Sequence, residues 1–350
     1  MTSAQAKTKQ PHVVVLGGGN GTSRLLQALV PLLNKGKLGS LHALVQMSDD
    51  GGSTGRLREQ YGVAAAGDLT RCLLALSNLR GDIRGDEFLR AMEYRFPGGD
   101  FGGHTLRNIF LTALEMTSDI DTALATMARV LQVPKYAGVV PTTLTTVTAQ
   151  AIITFDGSRN LLGEGEHSIA HRVNMQADPS WKPGAVTVTF AEGDVPLNPR
   201  AQEILEQATH IIVAPGHTFG TILPTLALPA LGRAVKVSKA QLIVVMTLLT
   251  TPRQTIGWSG EDFVRVYESY LGRPAQVVIG NDTPLAEILL VDGQEWVLFK
   301  DGEHDYQLIK QKVVSTELQG KQTGDVVPRA VVIHDPAVMR EILGNLITRT

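Results

Sequence analysis

The sequence predicts an α/β fold: a doubly wound, mostly parallel sheet with a helical block and a β-rich insertion. Three observations support this prediction. Short runs rich in Val, Ile and Leu recur along the chain, as expected of strands buried on both faces. Stretches with helical spacing follow most of these runs, and this alternation favours a parallel sheet with right-handed crossovers. Glycine-rich turns separate two of the strands from the helix that follows.

The first part of the chain predicts two strands followed by several helices. HVVVLGG is the first strand, SRLLQALVPLLNKG is a helix that ends at Lys35-Gly36, and LHALVQMS is the second strand. Four helices interrupted by Gly and Pro then form the helical block, at about residues 68–133. Their segments are GDLTRCLLALSNL, DEFLRAMEYRF, GHTLRNIFLTALEM and DIDTALATMARVLQV.

The pattern changes near residue 142. TLTTVTAQAIITFDG and AVTVTFAEG alternate and are rich in Thr and Val, which predicts antiparallel strands in an insertion at about residues 142–192, with a turn at Asp156-Gly157. Strands and helices then alternate again through THIIVAPG, TILPTLALPAL, QLIVVMTLL, GEDFVRVYESYL and AQVVIGND. WVLFKDG and DYQLIKQKVV predict a hairpin, RAVVIHD a last strand, and PAVMREILGNLI the final helix.

Composition excludes several classes of protein. The chain has 350 residues, of which 43% are hydrophobic and 19% charged, and this balance is typical of a folded globular protein rather than a disordered one. The net charge of -2 gives no broad attraction to nucleic acid or to an anionic membrane. We expect one domain over residues 12–350, preceded by a disordered tail at residues 1–11.

Cysteine usage and hydropathy predict a cytoplasmic protein with no membrane insertion. Cys72 is the only cysteine, so the chain can form no internal disulfide and no cysteine metal cluster, as suits a reducing compartment. No apolar run approaches the ~18–20 residues that span a bilayer. The first residues also lack the apolar segment of a signal peptide.

A glycine-rich turn in VVVLGGGNGTSRLL lies between the first strand and its helix. Glycines let the backbone approach a ligand, and the first N–H groups of a helix favour an anion. A tight turn with a helix cap is the structural alternative. The pattern is neither a Walker loop nor a strict G-x-G-x-x-G motif, since Thr22 takes the place of the third glycine, and a dehydrogenase is poorly supported. The candidate phosphate-binding residues are Gly17, Gly18, Gly19, Asn20, Gly21, Thr22 and Ser23.

The stretch SDDGGSTGRLR places two adjacent carboxylates after the second strand. In an open parallel sheet, ligands bind outside the carboxyl ends of the strands, so these acids should lie at the same edge as the glycine turn. Asp49 and Asp50 could bind Mg²⁺ shared with ligand phosphates, or hydrogen-bond a ribose. Alternatively, they could simply form a turn and pair with Arg56 or Arg58.

Two further motifs contain candidate site residues. In GDLTRCL, Asp68 is a predicted N-cap with Arg71 three residues on, and capping alone would explain it. In FGGHTLRNIFLTAL, the spacing of His104, Arg107 and Asn108 predicts one polar helix face, which is typical of a site wall. The alternative is a structural histidine whose ring nitrogens are hydrogen-bonded within the protein. If the protein is an enzyme, the catalytic candidates are Asp50, Asp68 and His104.

A second strand–glycine–helix junction occurs in APGHTFGTILP. Its candidate ligand-binding residues are Gly216, Thr218, Gly220 and Thr221. Two anion-binding junctions in one sheet predict a ligand with more than one phosphate, or two substrates.

The order of motifs resembles the bacterial YvcK family, also called gluconeogenesis factors, of the CofD-like superfamily. The resemblance runs from Val13 to Ile347, through GGGNGTSRLL, SDDGGSTGRLR, GDLTRCLLAL, YRF with GGHTLRNIFLTAL, APGHTFGTILPTL and VIHDPAVMREIL. It implies a Rossmann-like fold and a cytoplasmic homo-oligomer that binds UDP-sugars. It also implies links to gluconeogenic growth, central carbon metabolism and the maintenance of cell shape and cell wall. The ligand site implied by the resemblance comprises Gly18, Gly19, Gly21, Thr22, Asp49, Asp50, Asp68, Arg71, His104, Asn108, Gly216 and Thr218.

Two functions fit this resemblance. The first is a regulatory protein that binds a nucleotide-sugar. The alternative is a CofD-type transferase, which moves a phospholactyl-like group from a nucleotide-linked donor to a deazaflavin acceptor with Mg²⁺. In both, the two glycine turns hold phosphates and Arg56, Arg58 and Arg71 neutralise them. Asp49 and Asp50 hold Mg²⁺ or the ribose, while His104 and Asn108 contact the far end of the ligand.

Overall fold

The structure is a computed structural model that describes residues 10–155, 158–164, 182–285, 290, 293–315 and 332–348. The expected tail, at residues 1–11, lies almost wholly outside these residues. So do the turn at Asp156-Gly157 and residues 165–181 of the expected insertion.

The described strands form a parallel sheet and a smaller antiparallel one. In chain order they are β1 (His12–Leu16), β2 (Ser40–Val45), β3 (Ala137–Pro141), β4 (Ala149–Phe155), β5 (Ser158–Glu164), β6 (Val186–Phe190), β7 (His210–Val213), β8 (Gln241–Val245), β9 (Val277–Asn281) and β10 (Gln307–Gln311). The parallel sheet has the order β10-β9-β8-β7-β1-β2-β3, and the antiparallel sheet has the order β5-β4-β6. The mostly parallel α/β fold and the β-rich insertion are therefore confirmed.

Helices of the described residues connect the parallel strands. They are α1 (Gly19–Asn34), α2 (Gly52–Tyr61), α3 (Ala66–Ala75), α4 (Ile83–Glu93), α5 (Leu106–Glu115), α6 (Ile120–Val130), α7 (Pro199–Gln207), α8 (Leu223–Leu226), α9 (Pro229–Val237), α10 (Gly260–Leu271) and α11 (Pro336–Thr348). The apolar face of α1 packs against α3 and α11, and the buried strands β1, β2, β7 and β8 lie in the same core. Among the described helices, none is long and apolar enough to cross a membrane.

The order of the parallel strands reverses between β1 and β7. From β1 the chain proceeds outward to β2 and β3, whereas from β7 it proceeds the other way to β8, β9 and β10. Leu16 at the end of β1 pairs with Leu44 on one side and Val213 on the other, so the three neighbouring strands end nearly level. A crevice at such a reversal is the usual ligand position in open α/β sheets.

The predicted hairpin near the C-terminal end is wrong. β10 pairs in parallel with β9, and WVLFKDG makes only an isolated bridge between Trp296 and Leu249. The half-exposed residues of β10 suit an edge strand, and the buried strand β9 offers it a larger apolar surface than a second exposed run would. The described part of RAVVIHD, residues 332–335, forms an isolated bridge from His334 to Val314 rather than a strand.

Candidate functional site

The first glycine turn joins β1 to α1 at the reversal of strand order. Gly17 has φ +142° and Gly19 has φ +67°, both in the region that favours glycine. Helix α1 has no side-chain cap and no acidic residue in its first turn, so in the described part of the chain no capping side chain takes up its first N–H groups. Thr22 is fully buried, and its hydroxyl has no hydrogen-bond partner within the described residues. Ser23 donates to the Asn20 carbonyl oxygen at 2.8 Å. The first N–H groups of α1 are placed where an anion could bind them, and anion binding stays a prediction.

The second glycine turn, after β7, packs directly on the first. A side chain at Gly21 would overlap the carbonyl oxygen of Pro215. The Thr221 hydroxyl lies 4.0 Å from the position that a Cβ on Gly19 would take. The two turns therefore pack against each other after β1 and β7, where the strand order reverses and a ligand crevice is expected.

The second turn continues into the π-helical turn Thr218–Ile222, a kind of turn that often occurs at functional sites. Gly216 lies against Ile222, which leaves a Cβ at this position only 2.9 Å from the Ile222 side chain. Thr218 is buried and hydrogen-bonds the Tyr267 side chain. The N–H of Gly220 donates to the Nδ1 atom of His217 at 2.9 Å, so His217 caps the turn.

The acidic loop after β2 is held rigidly from inside. The Gln46 side-chain oxygen accepts hydrogen bonds from the Ser48 N–H, from the Ser48 hydroxyl at 2.7 Å and from the Asp49 N–H at 3.1 Å. Arg58 donates to the backbone oxygens of Ser48 at 3.2 Å and Asp49 at 2.7 Å. Arg58 thus positions the loop, while its predicted contact with phosphate stays a prediction.

The charge of Asp68 acts on the Asp49 carboxylate more than the charge of Asp50 does. It accepts hydrogen bonds from the Gly51 N–H at 3.0 Å and from the Thr54 side chain. Burial raises the pKa of Asp49 to about 6, the charge of Asp68 is the next largest cause that raises it, and the charge of Asp50 contributes less. The side chain of Asp68 lies against the first glycine turn, since a Cβ at Gly18 would overlap its carboxylate. Asp68 therefore lies beside the turn, and the Asp49 carboxylate lies near Gly67, close enough for the two charges to act on each other.

Asp68 does not cap a helix, contrary to the prediction. Helix α3 begins earlier, with Ala65 as N-cap, so Asp68 is the third residue of its first turn. There it is favoured by the helix dipole, and it pairs with Arg71 across 3.5 Å. Capping therefore does not explain the Asp68 side chain, which instead reaches the glycine turn.

His104 and Asn108 meet through a buried polar network rather than on one helix face. Helix α5 begins at Leu106, so His104 precedes the helix and the predicted spacing on one face is wrong. Ser53 of α2 joins the two residues, because its hydroxyl lies 2.9 Å from His104 Nδ1 and accepts from the Asn108 side chain at 3.1 Å. Thr70 donates to Asn108 at 3.0 Å and accepts from Arg107 at 3.1 Å.

This network lies beneath the acidic loop, with every member buried. Burial lowers the pKa of His104, and the positive charges of Arg56 and Arg95 lower it further, which favours a neutral imidazole. The network fixes α2 against α3 and α5, so it positions the start of α2 that follows Asp49 and Asp50. A direct contact of His104 or Asn108 with ligand stays a prediction.

A surface cleft of about 570 Å³ lies beside α2. Its polar lining includes Asp50, Arg56, Arg58 and Glu59. Arg56 also donates to the Gly102 carbonyl oxygen at 2.8 Å, which ties α2 to the loop before α5. Neither glycine turn lines this cleft. Asp50 and Arg56 therefore face the cleft and not the crevice between the two turns.

The residues near the first glycine turn fit a Mg²⁺ ion that is shared with the phosphates of a ligand. No group of three or more His, Cys, Asp or Glu side chains placed to hold a metal occurs in the described ranges. Mg²⁺ needs fewer protein ligands, however, because it is usually bound by one or two carboxylates together with water and substrate phosphates. Asp49 and Asp68 supply two carboxylates there, and a cation would relieve the repulsion between them. Asp50 as a metal ligand stays a prediction.

Sequence reasoning did not select Ser53, Thr70 or His217. Ser53 and Thr70 are ordinary helix residues whose role depends on the packing of α2 and α3 against α5. His217 had a local signal, since it follows a strand and a glycine at the second junction.

Fold and site together define an α/β protein with two glycine turns in contact at the reversal of its strand order. The model of the family described as 2-phospho-L-lactate transferase CofD matches residues 13–335. The chain belongs to this CofD family.

Relatives within the family are named gluconeogenesis factors. The chain is 31% identical over 340 residues to a putative gluconeogenesis factor of Nostoc sp., covering 95% of this chain and 68% of that protein. It is 32% identical over 271 residues to the gluconeogenesis factor of Listeria innocua, covering 77% and 76% of the two chains. The crystal structure of a UPF0052 family member from Bacillus halodurans shares the fold, with a TM-score of 0.78, 24% identity and coverage of 96% and 99%.

Proposed function

We propose that this protein binds a nucleoside-diphosphate sugar of the UDP-sugar class and acts as a regulatory protein. The observation that supports the proposal is the contact between Gly21 and Pro215, which brings two glycine turns into one crevice. Each turn offers backbone N–H groups at the start of a helical segment, and two adjacent phosphates would occupy them together.

The charges around the crevice suit a diphosphate bound with Mg²⁺. Asp49 and Asp68 would repel phosphates beside Gly18 unless a cation lay between them. Arg71 pairs with Asp68 and offsets only one of the two carboxylates. The cleft beside α2 has room for the far end of the ligand, next to Asp50 and Arg56.

The proposal extends to the role of the protein in the cell. The name of the relatives supports a role connected with gluconeogenesis and central carbon metabolism. The resemblance described above supports a cytoplasmic homo-oligomer that also influences cell shape and cell wall. Growth of a deletion strain on gluconeogenic and glycolytic carbon sources tests this extension, and equal growth and cell shape on both would contradict it.

A group transferase is the second candidate, favoured by the description of the matching family model. Such an enzyme would move a phospholactyl-like group from a nucleotide-linked donor to a deazaflavin acceptor. The same carboxylates and N–H groups would then stabilise charge on the transferring group. The acceptor would have to fit beside the phosphates, and the cleft along α2 is the described space for it.

Isothermal titration of the full chain with UDP-N-acetylglucosamine, with and without Mg²⁺, tests the proposal. We expect saturable binding that Mg²⁺ strengthens. In Asp68→Asn the Mg²⁺ effect should shrink, whereas Glu203→Gln, which changes an exposed carboxylate on α7 outside the cleft, should behave like wild type. Binding of GDP and a deazaflavin with turnover, but not of UDP-sugars, would favour the transferase. An absence of binding by all of them would contradict both functions.

A further inference from the structure

His217 lies at the second glycine turn with its two ring nitrogens in different situations. The Nδ1 atom accepts the hydrogen bond from the Gly220 N–H, and the ring lies so close that a Cβ at Gly220 would be 2.8 Å from this nitrogen. An accepting Nδ1 cannot bear a proton. In the neutral ring the proton is therefore on Nε2, which makes Nε2–H a hydrogen-bond donor.

The His217 ring lies at the exposed surface of the second glycine turn. Desolvation by neighbouring protein atoms lowers the pKa of His217 to about 4. The imidazole therefore stays neutral near pH 7, and the N–H donor on its far nitrogen is kept.

The surroundings of His217 belong to the crevice between β1 and β7. His217 follows Gly216 directly, and Pro215 before it touches the first turn of α1 at Gly21. On the other side of His217, the Thr221 hydroxyl approaches Gly19. The buried Thr22 hydroxyl, which has no partner among the described residues, lies against Gly17 within the first turn.

We propose that His217 is a phosphate-binding residue whose Nδ1 is fixed by Gly220 and whose Nε2–H donates to a phosphate oxygen of the bound ligand. The ligand class is a nucleoside diphosphate, with or without an attached sugar. This inference rests on the proposed nucleotide binding and assigns a specific donor to the phosphate group. A hydrogen bond to a charged oxygen in such a setting changes affinity by about tenfold or more.

Two substitutions distinguish the role of Nδ1 from the role of Nε2. In His217→Asn the amide oxygen lies near the place of Nδ1, so it keeps the acceptor for Gly220 and loses the far donor. In His217→Gln the amide nitrogen reaches the place of Nε2, so it keeps the donor and loses the cap. A purely structural role would make Gln the worse variant for folding and would leave the Asn variant unaffected in binding.

The experiment is a titration of the full-length wild type and both variants with UDP and with uridine, and with GDP and guanosine. We expect the Asn variant to melt like wild type and to bind the diphosphate about tenfold more weakly, with no change for the nucleoside. The Gln variant should keep its diphosphate affinity within about threefold and melt at a lower temperature.

Three outcomes would overturn the inference. Unchanged diphosphate affinity in the Asn variant would contradict it while leaving nucleotide binding intact. Equal weakening for nucleoside and diphosphate would assign His217 to the structure of the site rather than to phosphate. A wild type that binds none of the diphosphates would contradict the proposed function, and this inference with it.

Discussion

Gly21 is the residue through which the two glycine turns contact each other. It lies in the first turn of α1, where alanine would be favoured over glycine by up to about 1 kcal/mol. The carbonyl oxygen of Pro215 occupies the space that a side chain would need, and a backbone atom within a packed turn has little freedom to move. Close packing therefore outweighs helix propensity at this position.

The substitution Gly21→Ala should lower the free energy of unfolding by about 1–3 kcal/mol, because the new methyl group would force the two turns apart. Urea denaturation measures the change. Gly98→Ala is the matched control, since no atom lies within 4 Å of a Cβ at that position, and it should change stability by less than about 0.5 kcal/mol. Equal stability of both variants would show that the turns do not pack as described.

His42 should make the protein less stable in mild acid. Burial lowers the pKa of His42 to about 4, and the charges of Arg200 and His12 add to this effect. The unfolded chain takes up a proton near its ordinary pKa of about 6.5, whereas the folded chain resists it. Stability is therefore full above about pH 6.5 and is lost as the pH falls from there towards 4, by up to about 3 kcal/mol.

Denaturant unfolding of wild type and His42→Leu at pH 7.5, 5.5 and 4.5 tests this. The Leu variant cannot bind a proton, so its stability should fall less steeply over this range. It also removes the buried Nδ1 atom, which has no partner within the described residues. Parallel pH profiles for the two proteins would show that His42 does not cause the acid sensitivity.

At the scale of elements, α2 is the helix that sequence reasoning missed. Gly52 and Gly55 lower its intrinsic propensity, so SDDGGSTGRLR looked like a turn with basic residues. Tertiary contacts stabilise the helix instead: Ser53 joins the buried network, and Gly62 ends the helix in a left-handed conformation. Helices with strong apolar periodicity, such as α1 and α6, were predictable because that signal is local.

Asn108→Ala should destabilise the protein by about 2 kcal/mol, because it leaves the buried Thr70 and Ser53 hydroxyls with one hydrogen bond fewer each. Thr117→Ala is the control, since the exposed Thr117 bonds only a carbonyl oxygen at the end of the same helix. It should cost less than about 0.5 kcal/mol in thermal or urea unfolding. If Asn108→Ala lowered the free energy of unfolding as little as Thr117→Ala does, the network would not be what fixes α2.

At the scale of the molecule, the reversal of strand order brings the site together. The sequence could predict that residues 17–21 and Asp49 follow parallel strands, because each strand and its turn are local in the chain. It could not predict that β7 pairs with β1, or that Asp68 reaches Gly18, because these contacts join distant segments. Most helices and strands could thus be predicted from local patterns. Which polar residues at their ends come together depends on long-range packing.

The most direct test of the proposed site is a crystal structure of the full chain with the nucleotide that the titrations select and Mg²⁺. We expect the diphosphate between the two glycine turns, in contact with the N–H groups at the start of α1 and with the second turn near Gly220. We also expect a metal ion at Asp49 and Asp68. A diphosphate bound instead in the cleft beside α2, with the crevice between β1 and β7 empty, would contradict the proposed site.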